Sequence, residues 1–350
     1  MKILFTKRQW KILLGSISNP WGLLKYLYLK VAYGLKLKKL LTNPVDVDIE
    51  PINRCNFSCS HCQVPTWNKP LSKLDVAQFQ EIIVQFPHLL KVKLQGMGEP
   101  LLNKELMTLL GIGEKQNITM SFTTNGSLLE ASKIKELVQL DKTYINFSID
   151  GASAETFEGM RNGSDFTQVC QNIKAFTNAL DSNSESPRFQ AWMLVTQKNI
   201  NDIPNVVKLI KELKLKHLNL QMFFSDWGKE ALQENAKSYR IQLNSAEFKE
   251  VLAEARAIAK ELKIELNVHY GDYYTTKNKC PMPWLSTYIA ANGDVVPCSI
   301  LADSDVIKMG NVFDRDFSHI WNSPQYQEFR EKHRKLEIPD CCRQCYLDLD

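Results

Sequence analysis

Cys55, Cys59 and Cys62 stand at C-x3-C-x2-C spacing in the stretch Pro51-Ile-Asn-Arg-Cys-Asn-Phe-Ser-Cys-Ser-His-Cys-Gln63. Three thiols this close can ligate one metal centre from a single loop. A 4Fe–4S cluster normally takes four cysteines, so three would leave one iron open to another ligand. The competing readings are a zinc knuckle with His61 as fourth ligand, or three unrelated buried thiols. Zinc sites favour C-x2-4-C paired with H-x3-5-H, and His61 directly beside Cys62 suits that poorly.

A second cysteine group lies towards the C-terminus: Cys280, Cys298, Cys341, Cys342 and Cys345. Cys280 opens Cys-Pro-Met-Pro-Trp, and Asn292-Gly293-Asp294 between β-rich runs signals a hairpin leading to Cys298. Cys280, Cys298, Cys342 and Cys345 give C-x17-C-x43-C-x2-C. Four thiols can saturate one further cluster or one zinc. Cys342 rather than Cys341 completes the C-x2-C pair, which leaves Cys341 spare. Cys170 falls with Phe166, Val169, Ile173 and Phe176 on one helical face and is read as packing.

The elements that must position these groups alternate in type. Strand-like runs at 45–52, 90–95, 118–124, 144–149, 189–196 and 217–224 are separated by amphipathic helices near 71–86, 103–116, 128–140, 165–180 and 203–214. Ser72, three residues before Asp75, and Asp202 with Pro204 signal helix starts. Strand–helix repetition implies a parallel sheet with crossover helices, and six units fit a partial, TIM-like (β/α)6 barrel. Such folds place chemistry on the loops after the strands. The special residues fall there: the three cysteines after the first strand, Gly96-Met97-Gly98-Glu99-Pro100 after the second, Asn125-Gly126 after the third, and Ser148 to Gly151 at the end of the fourth. Each alone could be a turn; together they mark one rim. An irregular polar connection at 225–245, a helix at 246–262 and a short strand at 263–268 precede the cysteine-bearing tail.

The C-x3-C-x2-C stretch, with the ring-bearing His61 before its last cysteine, resembles the signature of radical S-adenosylmethionine (SAM) enzymes. That resemblance covers about residues 45–224. It implies a three-cysteine 4Fe–4S cluster at Cys55, Cys59 and Cys62, whose open iron takes the amino and carboxylate groups of SAM. It also implies SAM contacts from Gly96, Met97, Gly98 and Glu99, where Met97 replaces the first glycine of the family's G-G-E-P-like stretch. Ser148 and Asp150 match the ribose-contacting position, Asn125 is within reach of SAM, and Arg161 resembles the arginine near the SAM carboxylate. Residues 269–350 resemble a SPASM/twitch domain, a small β-hairpin and helix unit. This implies an auxiliary 4Fe–4S cluster on Cys280, Cys298, Cys342 and Cys345, with Cys341 a candidate hydrogen donor.

The expected reaction is reductive cleavage of SAM to a 5′-deoxyadenosyl radical, followed by oxidation or epimerisation of a small molecule such as a sugar or cyclitol. Radical modification of a ribosomal peptide is the alternative. No extra N-terminal domain of the kind that would recognise a leader peptide is read in the sequence, which places the small molecule first. An external flavodoxin- or ferredoxin-like electron donor is implied. A zinc-binding, non-catalytic module that holds nucleic acid or membrane is the reading from another class.

Composition fits this picture. Of 350 residues, 44% are hydrophobic and 23% charged, as in a globular chain with a core. Nine cysteines without a secretory signal point to metal or redox chemistry in the cytoplasm rather than to disulfides. Residues 1–42 carry nine Lys or Arg and no Asp or Glu. This basic, aromatic segment (1–44) is read as helices packed on the main domain with solvated lysines. An anionic membrane surface is the second reading, and nucleic acid is not expected. The chain thus divides into 1–44, a barrel at 45–224, a connection at 225–268 and the auxiliary unit at 269–350.

Overall fold

A computed structural model describes residues 19–180, 188–222, 225–269, 274 and 279–346. The chain enters through helix α1 (Pro20–Leu35), capped by Asn19, whose side chain accepts from the Gly22 N–H at 3.0 Å, with Pro20 in the first turn. Residues 1–18 of the expected helical segment lie outside the described residues.

Strands β1 (Asp46–Ile49), β2 (Lys91–Leu94), β3 (Thr119–Thr124), β4 (Thr143–Ser148), β5 (Phe189–Leu194), β6 (His217–Gln221) and β7 (Glu265–His269) run parallel in sequence order. The connecting segments include α2 (Val76–Val84), α3 (Leu106–Lys115), α4 (Ala131–Leu137), α5 (Ala154–Met160), α6 (Phe166–Ala179), α7 (Ile203–Glu212), α8 (Gln233–Tyr239) and α9 (Ala246–Leu262). The six expected units are present, and β7 adds a seventh parallel strand. The partial barrel expected from the strand–helix alternation is the fold observed.

Local signals explain the boundaries. Asp75, not Ser72, caps α2: its carboxylate accepts from Gln78 N–H, and the Gln78 side chain returns a bond to Asp75 N–H. Asp202 precedes α7 but makes no capping bond; its carboxylate instead accepts from Ala152 N–H at 2.7 Å.

The strands are two-faced. Val47, Ile49, Val92, Leu94, Met120, Phe122, Ile145, Phe147, Ala191, Met193, Leu218 and Leu220 are buried in the main hydrophobic core. Fully covered parallel strands usually read as continuous apolar runs. Here β4 and β5 alternate buried with half-buried positions, so the opposite face is polar.

The C-terminal hairpin extends the same sheet. After α10 (Met282–Leu285), β8 (Tyr288–Ile289) pairs parallel with β1, and β9 (Asp294–Val296) and β10 (Gly310–Asn311) follow antiparallel. The sheet order is β10-β9-β8-β1-β2-β3-β4-β5-β6-β7. Helices α11 (Phe317–Trp321) and α12 (Pro324–Lys335) then lead to a 3-10 turn carrying Cys341, Cys342 and Cys345.

Candidate active site

The three-cysteine loop is held at the β1 end by its neighbours. Asn53 exchanges bonds with Ser72 and donates to Pro70 O at 2.8 Å. Gly98 packs directly beneath: a Cβ there would lie 2.2 Å from Ile52 O and 2.5 Å from Arg54 O. Only glycine lets the segment after β2 lie this close to the loop, and Glu99 N–H bonds Arg54 O at 2.8 Å. Ser58 N–H reaches Asn162 O at 2.9 Å, which ties the loop to the segment after α5. On the outer side Ser60 meets the Tyr239 hydroxyl at 2.6 Å, and His61 packs edge-on against Tyr239. Burial lowers the His61 pKa to about 4, so its imidazole is neutral.

The expected site residues converge on this rim, in roles that the geometry separates. Glu99 is 3% exposed, and its carboxylate accepts from Thr124 Oγ1 (2.7 Å), Asn125 N–H (2.8 Å) and Leu101 N–H (3.1 Å). It braces the turn that presents Asn125. Asn125 Nδ2 bonds Asn56 Oδ1 at 3.0 Å and lies 3.9 Å from Cys55 Sγ. Asp150 is wholly buried; one oxygen accepts from Leu194 N–H and the other pairs with Arg161 at 2.7 Å. Its carboxylate is therefore committed to Arg161, which leaves Ser148, its side chain half-buried and without a hydrogen-bond partner among the described residues, at the ribose-matching position.

Arg161 sits within electrostatic range of Cys55, Cys59 and Cys62. Its Nε is buried without a hydrogen-bond partner among the described residues. Burial raises all three thiols, Cys59 to about 12, and Arg161 works against that rise.

Cys280, Cys298, Cys342 and Cys345 are also near one another: Cys280 feels the charges of Cys298 and Cys345, and Cys342 those of Cys280 and Cys298. Cys341 Sγ lies 3.9 Å from Cys342 Sγ. Both pack near Met97, Tyr288 and Leu301, but only Cys342 also packs with Cys280 and Cys345. Cys170 is half-buried against the main core.

Sequence reasoning missed two further groups. Glu50, 2% exposed, accepts from Met97 N–H at 2.9 Å and Ala291 N–H at 3.2 Å, with the buried Tyr288 hydroxyl beside it. It joins the segment after β2 to the C-terminal hairpin. The second group crosses the polar face of the sheet. Thr123 Oγ1 donates to Gln95 Oε1 (2.6 Å), Asn146 Nδ2 to Thr123 Oγ1 (3.3 Å) and Trp192 Nε1 to Asn146 Oδ1 (3.1 Å). Trp192 stacks on His269 at 4.8 Å, and His269 bonds Asn219. The available signal was a polar residue or tryptophan at alternate positions of parallel strands.

Comparison with known proteins now decides the family. The radical SAM superfamily model matches residues 49–210, and the SPASM iron–sulfur cluster-binding domain model matches residues 280–346. The chain is a radical SAM protein with a SPASM domain. It is 27% identical to a PqqA peptide cyclase of Gluconobacter oxydans over 86% of this chain and 82% of that protein. It is 25% identical to an AdoMet-dependent heme synthase of Methanosarcina barkeri over 82% of each. The fold matches Streptococcus suis SuiB bound to its precursor peptide SuiA, with a TM-score of 0.66 at 17% identity, covering 86% of this chain and 70% of that one. It also matches anSMEcpe with bound AdoMet and a peptide, with a TM-score of 0.62 at 18% identity, covering 87% and 88%.

This domain pair implies SAM and two 4Fe–4S clusters, and the residues present fit them. The loop thiols face a buried guanidinium with an unused N–H, which suits a carboxylate. Among the described residues no three Cys, His, Asp or Glu side chains gather closely enough to hold a single metal ion.

Proposed function

We propose that this radical SAM protein modifies a peptide. The observation that carries the reading is the likeness to a peptide cyclase along 86% of the chain. Peptide modification thereby moves ahead of the sugar or cyclitol chemistry expected first from the sequence. When bound, the clusters and SAM supply a 5′-deoxyadenosyl radical that removes a substrate hydrogen atom.

The chain's own residues hold and shape that chemistry. Cys55, Cys59 and Cys62 would carry the SAM-binding cluster. Arg161, fixed by Asp150, would meet the SAM carboxylate, and Ser148 its ribose. Gly96, Met97 and Gly98 would offer backbone groups to the SAM ammonium, with Glu99 holding Asn125 in place. Cys280, Cys298, Cys342 and Cys345 would carry the auxiliary cluster. Trp192 and the bonded amides of the inner face would form the substrate floor. Cys341 would return a hydrogen atom in an epimerising outcome, and an external flavodoxin- or ferredoxin-like donor would supply electrons.

The test is anaerobic incubation of reduced, cluster-loaded protein with SAM and synthetic copies of any short peptides that the neighbouring genes encode. Mass spectrometry should show loss of two hydrogens on cross-linking, or solvent deuterium gained on epimerisation. An unmodified peptide, with turnover stimulated by a sugar instead, would overturn the peptide reading and restore the small-molecule one.

A further inference from the structure

Helix α1 presents an apolar stripe outward. Trp21, Leu24, Val31 and Leu35 are 64%, 56%, 45% and 65% exposed. With Tyr28 they fall within an arc of about 80° that runs roughly 21 Å along the helix. No charged residue lies in that arc; Lys25 borders it on one side, and Lys30 lies on the far side of the helix. Leu41, 87% exposed, lies beside the stripe, its N–H donating to the Tyr28 hydroxyl at 3.0 Å.

The neighbouring face is fixed to the protein. Gly22, Leu29 and Ala32 are buried. A Cβ at Gly22 would stand 2.7 Å from His88 O. Lys25 donates to Pro87 O, Tyr33 bonds Lys279 O, and Trp284 Nε1 donates to Leu37 O at 2.8 Å. A firmly seated surface helix would ordinarily turn polar side chains outward. This one turns out tryptophan, leucine and valine.

Charge indicates what covers the stripe. The first 42 residues carry nine basic and no acidic side chains, and Lys38 and Lys39 are exposed beside its C-terminal end. Glu331, 3.3 Å from Lys38, is the acidic partner there. Pairing two copies through this face would bring two strongly basic segments together. An anionic bilayer surface answers both features: apolar side chains enter the headgroup–acyl boundary, and lysines meet acidic headgroups. We propose that α1 seats this protein on an anionic lipid surface, independently of what its active site modifies. Among the described residues no helix is long and apolar enough to cross a membrane, so the contact is peripheral.

The test is flotation of the full chain with phosphatidylcholine vesicles, with and without about one-third phosphatidylserine. Wild type should float with the anionic vesicles and stay behind with neutral ones or in high salt. A Trp21→Glu/Leu24→Glu/Val31→Glu variant should lose binding roughly tenfold or more while keeping its circular dichroism, iron content and SAM cleavage. Lys38→Gln/Lys39→Gln, which leaves the stripe intact, should weaken the anionic preference. The proposal is overturned if wild type ignores both vesicles or binds both equally, or if the Glu variant floats as wild type does. It is also overturned if light scattering shows a wild-type dimer that the Glu variant dissolves.

Discussion

Replacing Glu50 by Gln tests whether the SAM segment and the auxiliary hairpin share one brace. The carboxylate accepts Met97 N–H at 2.9 Å and Ala291 N–H at 3.2 Å, at 2% exposure. Glutamine keeps one acceptor oxygen and turns an NH2 towards the other donor. One bond is lost, and one buried N–H is left facing a donor. Each effect costs about 1–3 kcal/mol, so their sum is about 3 kcal/mol. Burial is the main reason its pKa lies above the usual range. The folded state therefore binds this proton more tightly than the unfolded state. The associated stability is full below the ordinary glutamate range and is lost as pH rises through the raised value. Glu50→Gln cannot titrate and should flatten that decline. Anaerobic thermal unfolding at neutral pH should show a Tm lower by about 5 °C. SAM cleavage should show a raised KM for SAM with kcat less affected, because Met97 loses its support. An unchanged Tm together with an unchanged KM would refute the brace.

Other substitutions separate neighbouring roles. Cys342→Ser should lose about four irons per chain while Cys341→Ser keeps them; iron loss from Cys341→Ser alone would reverse the ligand assignment. Trp192→Phe keeps the ring contact but removes the bond to Asn146; substrate KM should rise while SAM cleavage without substrate stays level, and equal loss of both would place Trp192 elsewhere. Burial pulls buried His333 down to about 4, so its stability contribution is present above the ordinary histidine pKa and is lost as pH falls towards 4, by roughly 3 kcal/mol at most. His333→Gln should reduce that acid sensitivity in pH-dependent unfolding, and an unchanged profile would show that His333 does not drive it.

The sequence made the cysteine chemistry readable because ligand spacing survives without any knowledge of the fold. The rim was readable as well, since parallel strands place every following loop at one end. Partners were harder to read. Glu99 and Asp150 have the residue types of ligand-contacting groups, yet both carboxylates are occupied by neighbours from β3, β5 and the segments after β3 and α5. Glu50 sat at the end of a strand with no local signal, because its donors lie 47 and 241 residues away. β8 could not be assigned to β1 from a two-residue strand. The N-terminal lysines expected to be solvated are partly drawn inward: Lys36 lies 3.4 Å over the Tyr33 ring, and its pKa falls to about 8 through burial.

The central claim is that Cys55, Cys59 and Cys62 hold a cluster at which SAM is cleaved. The most direct measurement is release of 5′-deoxyadenosine from SAM by anaerobically loaded, dithionite-reduced protein, compared with Cys55→Ala. The account predicts release by the native protein and none by the variant. Equal release from both, or colourless native protein containing zinc in place of iron, would contradict it.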